Sequence, residues 1–100
     1  MFKIRYSVPA QLDLGDIADY LEREASAKVA AGVLSRIRRQ VLTLERDALR
    51  HRERRELGEG RRAILIGPYI AFYRVEAEVV FVQRILHGAR HITPGLLGGV

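Results

Sequence analysis

The sequence predicts an α+β domain: an N-terminal strand, an antiparallel helical hairpin, then a three-stranded antiparallel meander, with the helices packed on one sheet face. Three observations predict it. Residues 61–90 contain three runs rich in Val, Ile, Phe and Tyr, residues that suit a pleated surface, separated by short breaks. Between residues 10 and 48 apolar residues recur every three or four positions, the period of a helix buried on one side. Residues 2–7 alternate apolar and polar, the pattern of a half-buried strand. One hundred residues build one core, so residues 1–100 are expected to form a single domain.

The elements follow in order. Phe2, Ile4 and Tyr6 share one strand face, and Pro9 ends the strand. A helix is expected over Ala10 to Glu24, with Leu14, Ile17, Ala18 and Leu21 as its apolar stripe. Ser7 is its cap, and Asp13 and Asp16 are placed near its positive end. Gly15 costs up to ~1 kcal/mol against alanine inside a helix, and a close helix crossing would account for it. Ala25-Ser26 is the only break before a second helix. Ser26 caps that helix, and Ala30, Val33, Leu34, Ile37, Val41, Leu44 and Ala48 face inward. So short a link makes the pair an antiparallel hairpin, whose apolar seam needs the sheet to cover it. Leu49 to Gly60 has no periodicity and alternating charge, so it reads as an exposed loop. The meander strands are Ala63–Ile66, Tyr69–Val75 and Val79–Leu86, divided by Gly67-Pro68 and by Glu76-Ala77-Glu78. Ile92, Leu96, Leu97 and Val100 form an apolar, glycine-rich tail that caps the core edge or awaits a partner.

Two registers are open between the last two strands. A two-residue turn at Glu76-Ala77 places Arg74 opposite Val79 and puts Arg74 and Arg84 on opposite faces. A three-residue turn places Val75 opposite Val79 and groups Arg74 and Arg84 with Phe72, Val80 and Val82. The second is expected, because it sets the cations at the edges of one apolar patch.

Charge narrows the partners. The formal net charge is +5, with −2 over residues 1–25, +6 over 26–62 and +1 over 63–100. Fifteen of the seventeen cationic residues are arginine, the residue suited to bidentate contact with carboxylate or phosphate. Nucleic acid and an acidic protein segment are therefore both open, beside a purely compositional origin in a GC-rich genome. The chain has no cysteine, so no disulfide framework or thiolate metal site is available. Neither a signal peptide nor a bilayer-spanning run is present, and a cytoplasmic protein without a membrane partner is expected.

Few residues suggest catalysis. His87 and His91 lie four apart, but Gly88 and Pro94 oppose a helix there, so no metal and no cofactor is expected. Asp13, Asp16, Asp19 and Glu22 are read as a solvated charge run. Arg61, Arg62, Arg74, Arg84, His87 and Arg90 all come from the meander or its end. RNA cleavage through a 2′-hydroxyl needs a group titrating near neutrality and cations around the phosphorane, roles His87 and the arginines offer. With no second acid or base evident beside His87, the favoured reading is that these arginines meet an acidic partner or a structural carboxylate.

Taken together, the element order and four segments, residues 10–20, 55–61, 69–74 and 84–90, resemble the RelE/ParE superfamily of bacterial type II toxins over nearly the whole chain. The run Arg84-Ile-Leu-His-Gly-Ala-Arg90 is similar to the end of ParE-type chains. His91 stands where those chains usually carry an acidic residue, and the loop before Arg55 lacks the family's common proline. RelE-like members cut mRNA in the ribosomal A site with a basic set and usually a late tyrosine or histidine, whereas ParE-like members inhibit DNA gyrase. This chain has no tyrosine after Tyr73. The resemblance therefore implies a ParE-like gyrase inhibitor that stabilises the cleaved-DNA complex. The alternative it leaves is a ribosome-dependent endoribonuclease using His87, Arg84, Arg61 and Arg62. It also implies a cognate ParD-like antitoxin in a toxin–antitoxin hetero-oligomer. An acidic, amphipathic antitoxin segment would meet Arg36, Arg39, Arg74, Arg90, Leu96 and Leu97.

Overall fold

Strand β1 (Lys3–Tyr6) is followed by the helices α1 (Val8–Glu24), α2 (Ala27–Leu42) and α3 (Leu44–Asp47). A 3-10 turn at Arg55–Leu57 then leads to β2 (Arg61–Ile66), β3 (Tyr69–Glu76) and β4 (Val79–His87). The computed structural model describes residues 1–89 and 92–97. The four strands form one sheet in the order β1-β4-β3-β2. The expected meander is present, and β1 joins it parallel to β4, which makes the sheet mixed.

Ser7 makes the corner between β1 and α1. Its N–H donates to Val82 O at 2.9 Å and its hydroxyl to Gln83 O at 2.8 Å, while the same oxygen accepts the Ala10 N–H at 3.0 Å. One residue thus ends a strand and caps a helix. Because the helix starts at Val8, Asp13 and Asp16 lie beyond its first turn and do not serve its positive end as expected. Ser26 caps α2 through the Val29 N–H at 3.0 Å.

The second helix is shorter than its periodicity predicts. Thr43 donates its hydroxyl to Gln40 O at 2.6 Å, a local bond that competes with the helical ladder, and α2 stops there. Leu44 and Ala48 stay buried because α3 continues the inward face for one more turn. The loop that follows is not wholly exposed: Leu57 is buried, and Glu53 bridges to Arg62.

The core has two parts. Leu14, Leu34, Ile37 and Val41 from the helices meet Ile64, Ala71, Tyr73, Val80, Val82 and Ile85 on one sheet face. Leu57, Phe72, Leu86 and Leu97 form a smaller cluster on the other face. No close approach explains Gly15, since a Cβ there would meet nothing within 4 Å.

The hairpin register matches neither expectation. Glu76 pairs with Val79, so the turn is Ala77-Glu78, and Val75 pairs with Val80. Val80 and Val82 consequently face the helices. Between Phe72 and Tyr73 the ladder shifts, leaving Gln83 as an extra residue that brings Arg84 opposite Phe72. Arg74 and Arg84 do share a face, but the bulge puts them there, not the turn.

Candidate functional site

Asp13 and Arg84 form the strongest polar construction. Strand β1 ends at Tyr6, so β4 beyond Val82 has no strand on that side. Asp13, at an inward position of α1 between Ala10 and Ile17, stands in for one. Its Oδ2 accepts the Ile85 N–H at 2.9 Å and Arg84 Nε at 2.7 Å, and its Oδ1 accepts Arg84 Nη2 at 2.9 Å. Arg84 Nη1 donates onward to Leu96 O at 2.7 Å, which ties the tail to the sheet. The Asp13 carboxylate holds the Arg84 guanidinium above its ordinary pKa. Asp13 is 8% exposed, so it is no member of a solvated charge run. The signal for it was present: Ala10, Asp13, Leu14 and Ile17 fall at i, i+3, i+4 and i+7, an inward stripe with one carboxylate in it.

Arg61, Arg62 and Arg74 of the basic set are also engaged within the chain. Arg61, only 2% exposed, donates Nε to Gln83 Oε1 and Nη1 to Leu57 O, each at 2.9 Å. Burial pushes its pKa down, as does Arg74, which lies directly opposite on β3. Arg62 Nη1 donates to His51 O at 2.5 Å. Arg74 Nη2 donates to Glu59 O at 2.6 Å, with Glu76 4.0 Å from its Nη1. The buried Nε of Arg74 has no partner among the described residues.

His87 is exposed at the end of β4. Its Nδ1 accepts the Ala89 N–H at 3.1 Å, which assigns the proton of the neutral ring to Nε2, and its ring meets Tyr69 edge-on at 5.6 Å. The register separates it from the arginine pair. Arg61 lies opposite Arg74 and His87 opposite Tyr69, five residues apart along β3. At about 3.3 Å per residue that is roughly 17 Å. The structure therefore does not bring His87, Arg61 and Arg62 around one point, and it places Arg84 against Asp13.

Of the residues expected to meet a partner, Arg36 and Arg39 are exposed on α2, and Arg36 overhangs the Gly67 turn. Leu96 is half-buried and Leu97 is 1% exposed within the second cluster. Arg90 and His91 lie outside the described residues, as does Val100 of the tail. Among the described residues no group of three His, Asp or Glu side chains is placed to hold a metal ion, and no helix is long and apolar enough to cross a membrane.

The family described as "ParE toxin of type II toxin-antitoxin system, parDE" matches residues 4–92. No curated protein matches the chain. Among solved structures, a chain of the chromosomal ParDE toxin–antitoxin system from P. aeruginosa is similar, with a TM-score of 0.79 and 24% identity. The match covers 87% of this chain and 96% of that one. A chain of the RelBE2 toxin–antitoxin complex from Mycobacterium tuberculosis has a TM-score of 0.66 at 20% identity, covering 86% of this chain and 96% of that one. Both likenesses concern the fold.

Proposed function

The chain belongs to the family of ParE toxins of type II toxin–antitoxin systems, and from that membership we propose a toxin that acts by binding and not by catalysis. Its target in this reading is cytoplasmic DNA gyrase, held in its cleaved-DNA complex. One observation carries the choice over RNA cleavage. A general acid or base must come within about 3 Å of the proton it moves, with cations around the same phosphate. Here His87 is five residues along the sheet from the Arg61–Arg74 pair, and Arg84 is bound to Asp13. The test is to incubate purified chain with gyrase and supercoiled plasmid, then denature the protein. Linear DNA should accumulate with toxin concentration; no linear DNA at saturating toxin contradicts the proposal.

A ribosome-dependent endoribonuclease is the second reading, favoured by the exposed His87 with its defined tautomer. It predicts A-site mRNA cleavage by primer extension that disappears in His87→Ala. Neutralisation is assigned to a ParD-like antitoxin whose acidic, amphipathic segment contacts Arg36, Arg39, Arg74, Arg90, Leu96 and Leu97. Arg36 and Arg39 are the open forks for its carboxylates, and Leu97 reaches it only by leaving its own cluster. Loss of growth arrest when toxin and antitoxin are expressed together checks the pairing.

A further inference from the structure

A cavity of about 410 Å³ opens between α1 and the ends of β3 and β4. Asp13, Asp16, Ile17 and Tyr20 line it from α1, Tyr69 from β3 and His87 from β4. Its chemistry is opposite to that of the chain as a whole. Asp13 is already matched by Arg84; Asp16, exposed at the cavity rim, makes no ion-pair contact among the described residues, although its charge is felt by Arg84. Tyr69 is 9% exposed, and its hydroxyl has no hydrogen-bond partner among the described residues, although it lines the cavity. Burial, and Tyr20 nearby, push that hydroxyl's pKa up, so it stays neutral and able to accept. The Tyr69 and His87 rings stand edge to face, at 82°, beside the apolar Ile17.

Such a lining selects its occupant. A carboxylate and aromatic walls repel anions, and among the described residues no three His, Asp or Glu side chains are placed to hold a metal ion. A planar cation suits it best, because a guanidinium stacks on aromatic faces while its N–H fork donates in its own plane. Residues 1–25, which supply Asp13, Asp16, Ile17 and Tyr20, sum to −2, against +7 over residues 26–100, so a cation is better received here than on the rest of the chain. We propose that the cavity takes the guanidinium of an arginine carried by the antitoxin, with Asp16 and Tyr69 accepting its N–H groups. The inference rests on the antitoxin partner proposed above, and it gives an otherwise acidic segment one obligatory cation that fixes its register.

The experiment has two arms on the full chain. In the first, N-acetyl-arginine methylamide is titrated and followed by NMR at the amides around Tyr20, Tyr69 and His87. Saturable shifts are expected, weakened about threefold by Asp16→Asn, whose carboxylate is exposed, and also weakened by Tyr69→Phe. Equal shifts from N-acetyl-norleucine methylamide or N-acetyl-lysine methylamide, or titrations unchanged in Asp16→Asn, overturn the guanidinium site. In the second, antitoxin affinity is measured for wild type and Asp16→Asn. A loss of about threefold supports the assignment, and unchanged affinity overturns the antitoxin arginine as occupant. Failure of wild type to bind the antitoxin at all refutes the partner reading, and the antitoxin as occupant with it, while the first arm still decides the cavity's chemistry.

Discussion

Asp13 receives three donors while being almost fully buried, and that makes its partner indispensable. Removing one member of a buried ion pair costs about 3–5 kcal/mol, because the other charge is left without compensation. Arg84→Ala should therefore lower the unfolding free energy by about that much in urea denaturation, and it also frees Leu96 O. The double variant Asp13→Leu/Arg84→Met should lose less than Arg84→Ala alone; an equal or larger loss would refute a desolvated pair. Tyr73 gives a pH-dependent counterpart. Its hydroxyl, buried under α3, donates to Ala48 O at 2.6 Å, and burial pushes its pKa up to about 12. The folded state then holds the proton more tightly than the unfolded chain, whose tyrosine titrates near 10. Stability from Tyr73 is complete below pH ~10 and is lost as pH rises through about 12, by roughly 2–3 kcal/mol. Tyr73→Phe should be less stable at neutral pH by about 1–2 kcal/mol and show a shallower decline above pH ~10. Parallel curves for the two proteins would rule out Tyr73 as the source. None of these partnerships is plain in the sequence, because a stripe of helical spacing says that Asp13 points inward but not which strand edge it meets.

The elements themselves were far more legible. Alternation in residues 2–7, capping serines at Ser7 and Ser26, and β-branched runs after Arg61 each impose one local choice, and all agree with the sheet-and-hairpin fold. What escaped was set by contacts distant in sequence or by one-residue effects. Thr43 ended a helix through its own hydroxyl, and Gln83 was inserted as a bulge that Arg61 and Ser7 both hold. The β3–β4 turn shows how fine the margin is. Ala77 has φ +52°, a left-handed conformation that costs an alanine roughly 1 kcal/mol, whereas the equivalent place in the preceding hairpin is filled by Gly67 at φ +57°. Ala77→Gly should stabilise the protein by about 1 kcal/mol in chemical denaturation. Gly15→Ala, where a Cβ meets nothing, should add up to ~1 kcal/mol through helix propensity. Destabilisation by either change would mean that the turn or the surroundings of Gly15 have another geometry.

Over the whole molecule, arginine-rich composition and function separate. The sequence suggested a cationic cluster with one histidine, and the fold distributes that cluster into joints. Arg61 joins the loop to the bulge, Arg74 the hairpin to Glu59, and Arg84 the helix to β4 and the tail. Sequence order could not reveal this, because Arg61, Arg84 and His87 become neighbours or strangers only through strand register. What remains at the surface includes exposed arginines on α2 and an acidic, aromatic cavity beside α1. A binding toxin is the function this division of labour supports. The most direct measurement is gyrase supercoiling and cell-free translation, run in parallel with the same preparation of purified chain free of antitoxin. Supercoiling should fall to completion with toxin concentration while translation continues at its starting rate. Translation arrested at concentrations that leave supercoiling intact would contradict the account.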